Sequence, residues 1–483
     1  MSDISNLKPN LIWKYFDEIT KIPRPSKKEE KIIQYLLNFA KNNNLEAEKD
    51  DVGNVVIRKK ATKGMENVPI VILQSHSDMV CEKNNDVDFN FDTDSIKAYV
   101  DGDWVTATGT TLGADDGIGV AAALAILSSD DLQHGPIEAL FTSDEETGMT
   151  GAFGLKEGFL KGSVLINLDS EDEGQIFIGC AGGKDSAAEF EYKKEKINDN
   201  CYSCKISISG LKGGHSGDEI DSGLGNANKI LNRFLWRLSE KIDFRLSNFD
   251  GGNLRNAIAR EAYAIISVKQ HDKEQIRLAL NIYSSEITNE LAVTEPDLNI
   301  EMDTVDNPDF VIDKETQKRL IQSIYACPHG VIAMSQSIDN LVETSTNLAS
   351  VKFIDDKIII GTSQRSSVNS ALIDISTMVK SVFELAGAKV IQSEGYPGWK
   401  PKLDSKILQI AKKSYQNLFT QDPQILAIHA GLECGLFLKK YPQLDMVSIG
   451  PTVKGAHSPD ERIYIPSVVK FWDLLIDILK NIK

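Results

Sequence analysis

The chain has 483 residues, 41% hydrophobic and 25% charged, which suits a soluble globular protein of two large units or about three ordinary ones. A net charge of −17 excludes the basic surface that phosphate binding needs, so no nucleic-acid partner is expected. Six cysteines in so long a chain argue against a disulfide framework. No window approaches about eighteen uninterrupted apolar residues, which excludes a predicted membrane span.

The start, Met1-Ser2-Asp3-Ile4-Ser5-Asn6, has neither the basic residues nor the apolar stretch of a secretory leader, and a reducing cytoplasm is the expected location. Apolar spacing predicts two helices between 10 and about 44, split by Pro23-Arg24-Pro25-Ser26. Ser26 is the predicted N-cap, with Glu29 completing a capping box. Strands are predicted at 54–58 and 68–74. The polar segment 84–94 has the aspartates of a calcium loop, but Phe91 and Lys97 stand where glycine and glutamate are required, so calcium is not expected there.

A helix of small residues, 117–127, must be buried on nearly all sides. Strands follow at 137–142 and 164–168. This alternation predicts an α/β fold with a mixed, mainly parallel sheet. Near 187 the pattern changes. Strands at 204–209, around 256–268, at 298–302 and at 357–362, with helices at 227–239, 273–291 and 370–385, predict an inserted α+β domain with an antiparallel sheet. Cys201 and Cys204 fall on a predicted strand with no second pair, so no structural metal is expected there. After Tyr396-Pro397-Gly398-Trp399 the first pattern resumes, with a helix at 405–418, a strand at 446–449 and a helix at 466–482. The expected division is therefore 1–186 and 393–483 as two parts of one domain, and 187–392 as the insertion.

In open α/β sheets, ligand sites form at the carboxyl ends of strands. Here those ends are rich in metal-ligand types. The run 71–73 leads to His76, with Asp78 two positions on and on the same face. Asp115 and Asp116 precede the small-residue helix. The run 139–141 leads to Asp144, Glu145 and Glu146, the run 165–168 to Asp169, and the run 447–450 to His457. Mixed imidazole and carboxylate ligands suit zinc, and also manganese or cobalt. A two-metal site still needs a general base that is not a ligand, and the adjacent pair Glu145-Glu146 supplies one carboxylate for each task.

Ten stretches in order carry a family resemblance: HSDMV (76–80), GTTLGADDGIGVA (109–121), TSDEETGMTGAFGL (142–155), INLDSEDEG (166–174), GCAGG (179–183), LKGGHSG (211–217), GGNLRNAIAR (251–260), YPGWKP (396–401), HAGLECG (429–435) and GAHSPDER (455–462). With them the chain resembles the co-catalytic zinc metallopeptidases, in their aminoacyl-histidine dipeptidase (carnosinase-like) branch. The resemblance implies two divalent metal ions, most simply Zn2+, with Asp115 bridging them. His76 and Asp169 would complete one ion, and Glu146 and His457 the other. Asp78 would orient His76, and Glu145 would be the general base acting on a two-metal-activated water.

The resemblance also implies a cis peptide after Asp115, where the family often has Asn and this chain has Asp116. The insertion would be a lid and dimerisation domain, giving a homodimer. His215, Asn256 and Arg365 would bind substrate, since an Arg fork matches the carboxylate of a peptide. No role follows for His429 or Glu433, and His134, His271 and His329 read as surface or core histidines. The implied activity is hydrolysis of small unblocked dipeptides, Xaa-His peptides such as carnosine among them. A tripeptidase or an N-acyl amino acid deacylase on the same centre is the alternative, as is a silent relative that binds metal or peptide without turnover.

Overall fold

Four short apolar runs, Ile137–Thr142, Val71–His76, Val164–Asn167 and Asp445–Ser448, lie side by side as parallel strands. The first two are buried at every position, so they read as continuous apolar runs rather than alternating ones. In the computed structural model, which describes residues 4–197 and 200–483, they form the middle of an eight-stranded mixed sheet. Glu46–Lys49 and Val55–Lys59 extend it antiparallel beyond Ile137–Thr142, and Gln175–Cys180 and Gln424–Ile428 extend it beyond Asp445–Ser448. Because the four central strands run the same way, their carboxyl ends emerge along one edge.

One row across these strands is polar. Gln74 accepts from Asn167 Nδ2 (2.6 Å), and Asn167 Oδ1 accepts from Ser448 Oγ (2.5 Å). All three residues are fully buried, where amides and hydroxyls persist only when paired.

The small-residue helix Ala114–Ser128 is buried at every residue from Asp116 to Leu127. Its alanines and glycines let it pack closely against Val71–His76 and the helix Asn10–Ile19. Asp115 and Asp116 depart from helical dihedrals, so regular helix begins at Gly117, as predicted.

The helices Asn10–Ile19 and Glu30–Asn42 are split where expected, but the capping box is not formed. Ser26 lies outside the helix and its hydroxyl donates to Asp78 Oδ2 (2.8 Å). Glu29 accepts from the backbone N–H groups of Lys27 (3.0 Å) and Asp144 (2.8 Å). A buried, charged Asp78 is the stronger acceptor, and it takes the hydroxyl away from the helix end.

A separate four-stranded antiparallel sheet joins Val453–Lys454, Arg462–Tyr464, Trp104–Ala107 and Ala98–Asp101. Its strands are too short and too exposed to show a period in the sequence.

These elements belong to one compact unit, the chain through Cys180 with Trp399–Ala427 and Leu432–Lys483. Ala181–Gly398 with Ile428–Gly431 forms a second. Its main sheet is nine-stranded and its described pairings are antiparallel. Cys201–Ser209 shows why: Tyr202, Cys204, Ile206 and Ile208 alternate inward, so one face packs a core and the other does not. Helices Ala227–Ser239, Lys273–Glu290, Lys314–Ala326 and Asn369–Leu385 cover that face with Leu231, Phe234, Tyr283, Leu320, Ile324 and Phe383.

Val342–Ile354 is a long strand that the sequence hides, because its buried positions include Thr344, Ser345, Thr346 and Asn347. Cys201 and Cys204 are free thiols. Residues 1–3 of the segment read as lacking a leader, and residues 198–199 of the predicted insertion, lie outside the described residues. No described helix is long and apolar enough to cross a membrane.

Candidate metal centre

The strand ends gather the five residues singled out as ligands. His76 closes its strand, and its Nε2 lies 3.0 Å from Asp115 Oδ1 and 3.4 Å from Asp169 Oδ1. Asp115 Oδ2 lies 3.0 Å from His457 Nε2, which is itself 3.1 Å from Glu146 Oε2. Each oxygen of one carboxylate therefore faces an imidazole with a second carboxylate beside it. His76, Asp115 and Glu146 offer ligand atoms within 4.8 Å of one another.

His457 does not follow directly from the end of a main-sheet strand, as its place after 447–450 predicts. It sits on the connection between Val453–Lys454 and Arg462–Tyr464, with a positive φ of 63°. The small sheet delivers it.

Asp78 is fully buried and organises the rest. Its Oδ1 lies 3.4 Å from His76 Nδ1 and accepts from Glu145 N (3.1 Å), while Oδ2 accepts from Glu146 N (3.2 Å). Burial opposes its charge, but His76, the Ser26 hydroxyl and the Glu145 N–H hold its pKa at about 2. One carboxylate thus fixes the imidazole and the glutamate pair together. The Glu145 carboxyl is pushed well above its ordinary range by burial, with Asp169, Glu433 and Glu146 adding to the shift and His76 opposing it.

The peptide between Asp115 and Asp116 is cis, as the resemblance implies. Asp116 Oδ2 accepts from the backbone N–H of His76 (3.2 Å) and Oδ1 from that of Gly119 (3.1 Å). A Cβ at Gly119 would lie 2.2 Å from Asp116 Oδ1, so only glycine admits this contact. Burial, then Asp169, pushes the Asp116 pKa well up, while His76 and its backbone N–H oppose the shift.

Glu433 heads the helix Glu433–Lys440, and its Oε2 accepts from Gln74 Nε2 (2.6 Å) and Thr142 Oγ1 (2.8 Å). Burial raises it to about 8. Glu171, on which the sequence reading placed no weight, is also raised to about 8 by burial, then by Asp115 and Asp169. Its signal was available, since it follows Asp169 at the same strand end.

The donor set fits divalent cations. His76 Nδ1 lies 3.4 Å from Asp78 Oδ1, and Nε2 faces Asp115 and Asp169, which is where an imidazole ligand and two carboxylate ligands of one cation would meet. Glu146 Oε1 is buried with no hydrogen-bond partner among the described residues. His76 is raised well above its ordinary pKa because Asp169, Asp115 and Asp78 outweigh its burial, and Asp115 and Glu146 raise His457 to about 11. Excess carboxylate charge thus collects protons here, and a cation would take their place.

The predicted substrate residues fall in the second unit. His215, on Gly214–His215, pairs with Ala257 of Ala257–Ile258, which puts Asn256 beside it. Both line a cavity of about 630 Å³ together with Lys212 and Arg260. The His215 Nδ1 lies 3.0 Å from Asp218 Oδ2. Arg365 does not line that cavity. It is 8% exposed, on Lys357–Ser366, with Nη1 3.5 Å from Tyr396 Oη. His429 is buried, with Nε2 2.7 Å from Ser345 Oγ, and burial, then Arg365, lowers it to about 4. His134 is buried and bonded to the Gly135 carbonyl, His329 accepts from Leu348 N, and His271 is exposed.

Residues 72–481 match the model of peptidase family M20/M25/M40. The chain is 46% identical over 482 residues to the cytosol non-specific dipeptidase of Escherichia coli (strain K12), covering 100% of this chain and 99% of that protein. The crystal structure of aminoacylhistidine dipeptidase from Vibrio alginolyticus is similar with a TM-score of 0.93 and 45% identity, covering 100% of this chain and 98% of that one. A tripeptidase from Staphylococcus aureus shares the fold alone, with a TM-score of 0.56 and 17% identity over 99% of both chains. The likeness drawn from ten motifs thus extends over the full length, and the chain belongs to peptidase family M20/M25/M40 and is a hydrolase by that membership.

Proposed function

We propose that the chain is a metal-dependent dipeptidase acting on unblocked dipeptides, Xaa-His peptides such as carnosine among them. One observation carries this reading: the two oxygens of Asp115 each face an imidazole and a further carboxylate. Asp115 would bridge two cations, with His76 and Asp169 on one and Glu146 and His457 on the other. Zinc, or manganese or cobalt in its place, would supply Lewis acidity that polarises the scissile carbonyl and acidifies water.

Glu145 takes a proton from the attacking water and passes it to the amine as the C–N bond breaks. Asp78 holds His76 and the glutamate pair at their spacing. The Arg365 guanidinium takes the C-terminal carboxylate of the peptide. His215 donates to the carbonyl oxygen as it gains charge, with Asp218 fixing its tautomer, and Asn256 holds the peptide backbone. The segment 187–392 serves as lid and dimerisation domain of a cytoplasmic homodimer, and 1–186 with 393–483 as the catalytic domain. The relatives' names, at 46% and 45% identity over the full length, support the substrate class.

The test is metal analysis combined with a substrate panel of dipeptides including carnosine, tripeptides and N-acyl amino acids. Two divalent ions per chain and preferred cleavage of dipeptides are expected. Faster cleavage of tripeptides or blocked amino acids would replace the proposed substrate. Peptide binding without cleavage in added zinc or manganese would make the chain a silent relative.

A further inference from the structure

Glu461 sits on the same hairpin connection as His457 and is 1% exposed. Its carboxylate accepts from four consecutive backbone N–H groups. Oε2 takes those of Leu112 (2.7 Å) and Gly113 (2.9 Å), and Oε1 those of Ala114 (2.6 Å) and Asp115 (3.3 Å). None of the roles above uses this residue. Successive N–H groups curled around an anion form a concave binding nest. These donors precede the regular helix that starts at Gly117, so no helical carbonyl can satisfy them.

Arg24 holds the same turn from the other side. It is 2% exposed, and its guanidinium donates to the carbonyls of Ser77, Asp78 and Gly113. The N–H of Gly113 is therefore held by Glu461 and its C=O by Arg24. A Cβ at Gly113, where φ is +72°, or at Gly117 would lie 2.6 Å from Arg24 Nη2. The turn is shaped around the arginine. Among the described residues, both charged groups bond only main-chain atoms. Arg24 ties the Asp115 turn to the backbone that follows His76, and Glu461 ties it to the hairpin of His457.

We infer that Glu461, opposed by Arg24, is a positioning residue that sets Asp115 between the two imidazoles before any cation binds. This deepens the two-metal reading and rests on it. Loss of a group that fixes metal ligands typically weakens metal affinity by about 10–100-fold. That range is expected for zinc binding to Glu461→Gln, measured by competition with a fluorescent indicator after stripping with a chelator. The metal-free variant is expected to keep the circular dichroism of the wild type.

A folded Glu461→Gln with wild-type zinc affinity overturns the inference. Wild-type protein that binds no zinc overturns the two-metal reading instead, so the two failures are told apart. Hydrogen exchange on metal-free wild-type protein decides without any variant. The amides of 112–115 are expected to be strongly protected, and exchange at the rate of a free loop would overturn the inference.

Discussion

The two imidazoles of the centre arrive by different routes. His76 ends a central strand with paired neighbours on both sides, and its side chain is 1% exposed. His457 lies on a hairpin of the small antiparallel sheet, and its side chain is 55% exposed. A central parallel strand fixes its end point through the ladders that flank it. The hairpin connection that carries His457 lies beyond its short strands, and groups outside it must set its place. One half of the centre is built by the sheet, and the other is fastened onto it.

The largest effect should come from the residue that serves both halves. Glu145→Gln is expected to lower kcat on dipeptides by about 10²–10⁴-fold with metal content unchanged. A variant of normal activity would move the base elsewhere. The comparison itself is tested by removing each imidazole. In metal-free protein, His76→Ala leaves buried carboxylates unpaired and should cost about 3–5 kcal/mol in urea unfolding. His457→Ala should cost less, because the imidazole itself is 55% exposed although its partners Asp115 and Glu146 are not, and it should lose bound metal. Equal costs would erase the distinction between the two routes.

Asp78→Asn removes the charge that orients His76 and should weaken metal affinity or activity by about 10–100-fold, read by the same indicator competition. Unchanged affinity and activity would place the support of His76 elsewhere.

The smallest effect lies away from the centre. His429 has a folded pKa of about 4 against an ordinary 6.5, so the unfolded chain binds its proton more readily between those values. Stability present above pH 6.5 should be lost as pH falls toward 4, by about 2 kcal/mol near pH 5. His429→Gln should flatten that slope in urea unfolding at pH 7 and 5, and an unchanged slope would show that His429 does not titrate on unfolding.

The gathering of His76, Asp115, Glu146, Asp169 and His457 was legible because four of them follow or precede continuously apolar elements, and the ends of such strands converge when they run parallel. The main sheet and the buried small-residue helix were legible for the same reason. Glu461 and Arg24 were not, since their partners are backbone atoms, and no residue type marks a main-chain partner. The capping box at Ser26 and Glu29 was misread because the competing acceptor, Asp78, is remote in sequence. The strands of the small sheet were missed because strands such as Val453–Lys454 are too short to carry a period. Val342–Ile354 was missed because its buried run Thr344 to Asn347 is hydroxyls and an amide.

The polar row through Gln74, Asn167 and Ser448 has a consequence for assembly of the main sheet. A slip of one residue in any of these strands would send its member of the row to the opposite face. Each slip would then forfeit matched amide and hydroxyl contacts and strand their partners without water, at about 1–3 kcal/mol for every orphaned group. Alignment is thereby proofread beneath the very edge where the charged side chains must meet.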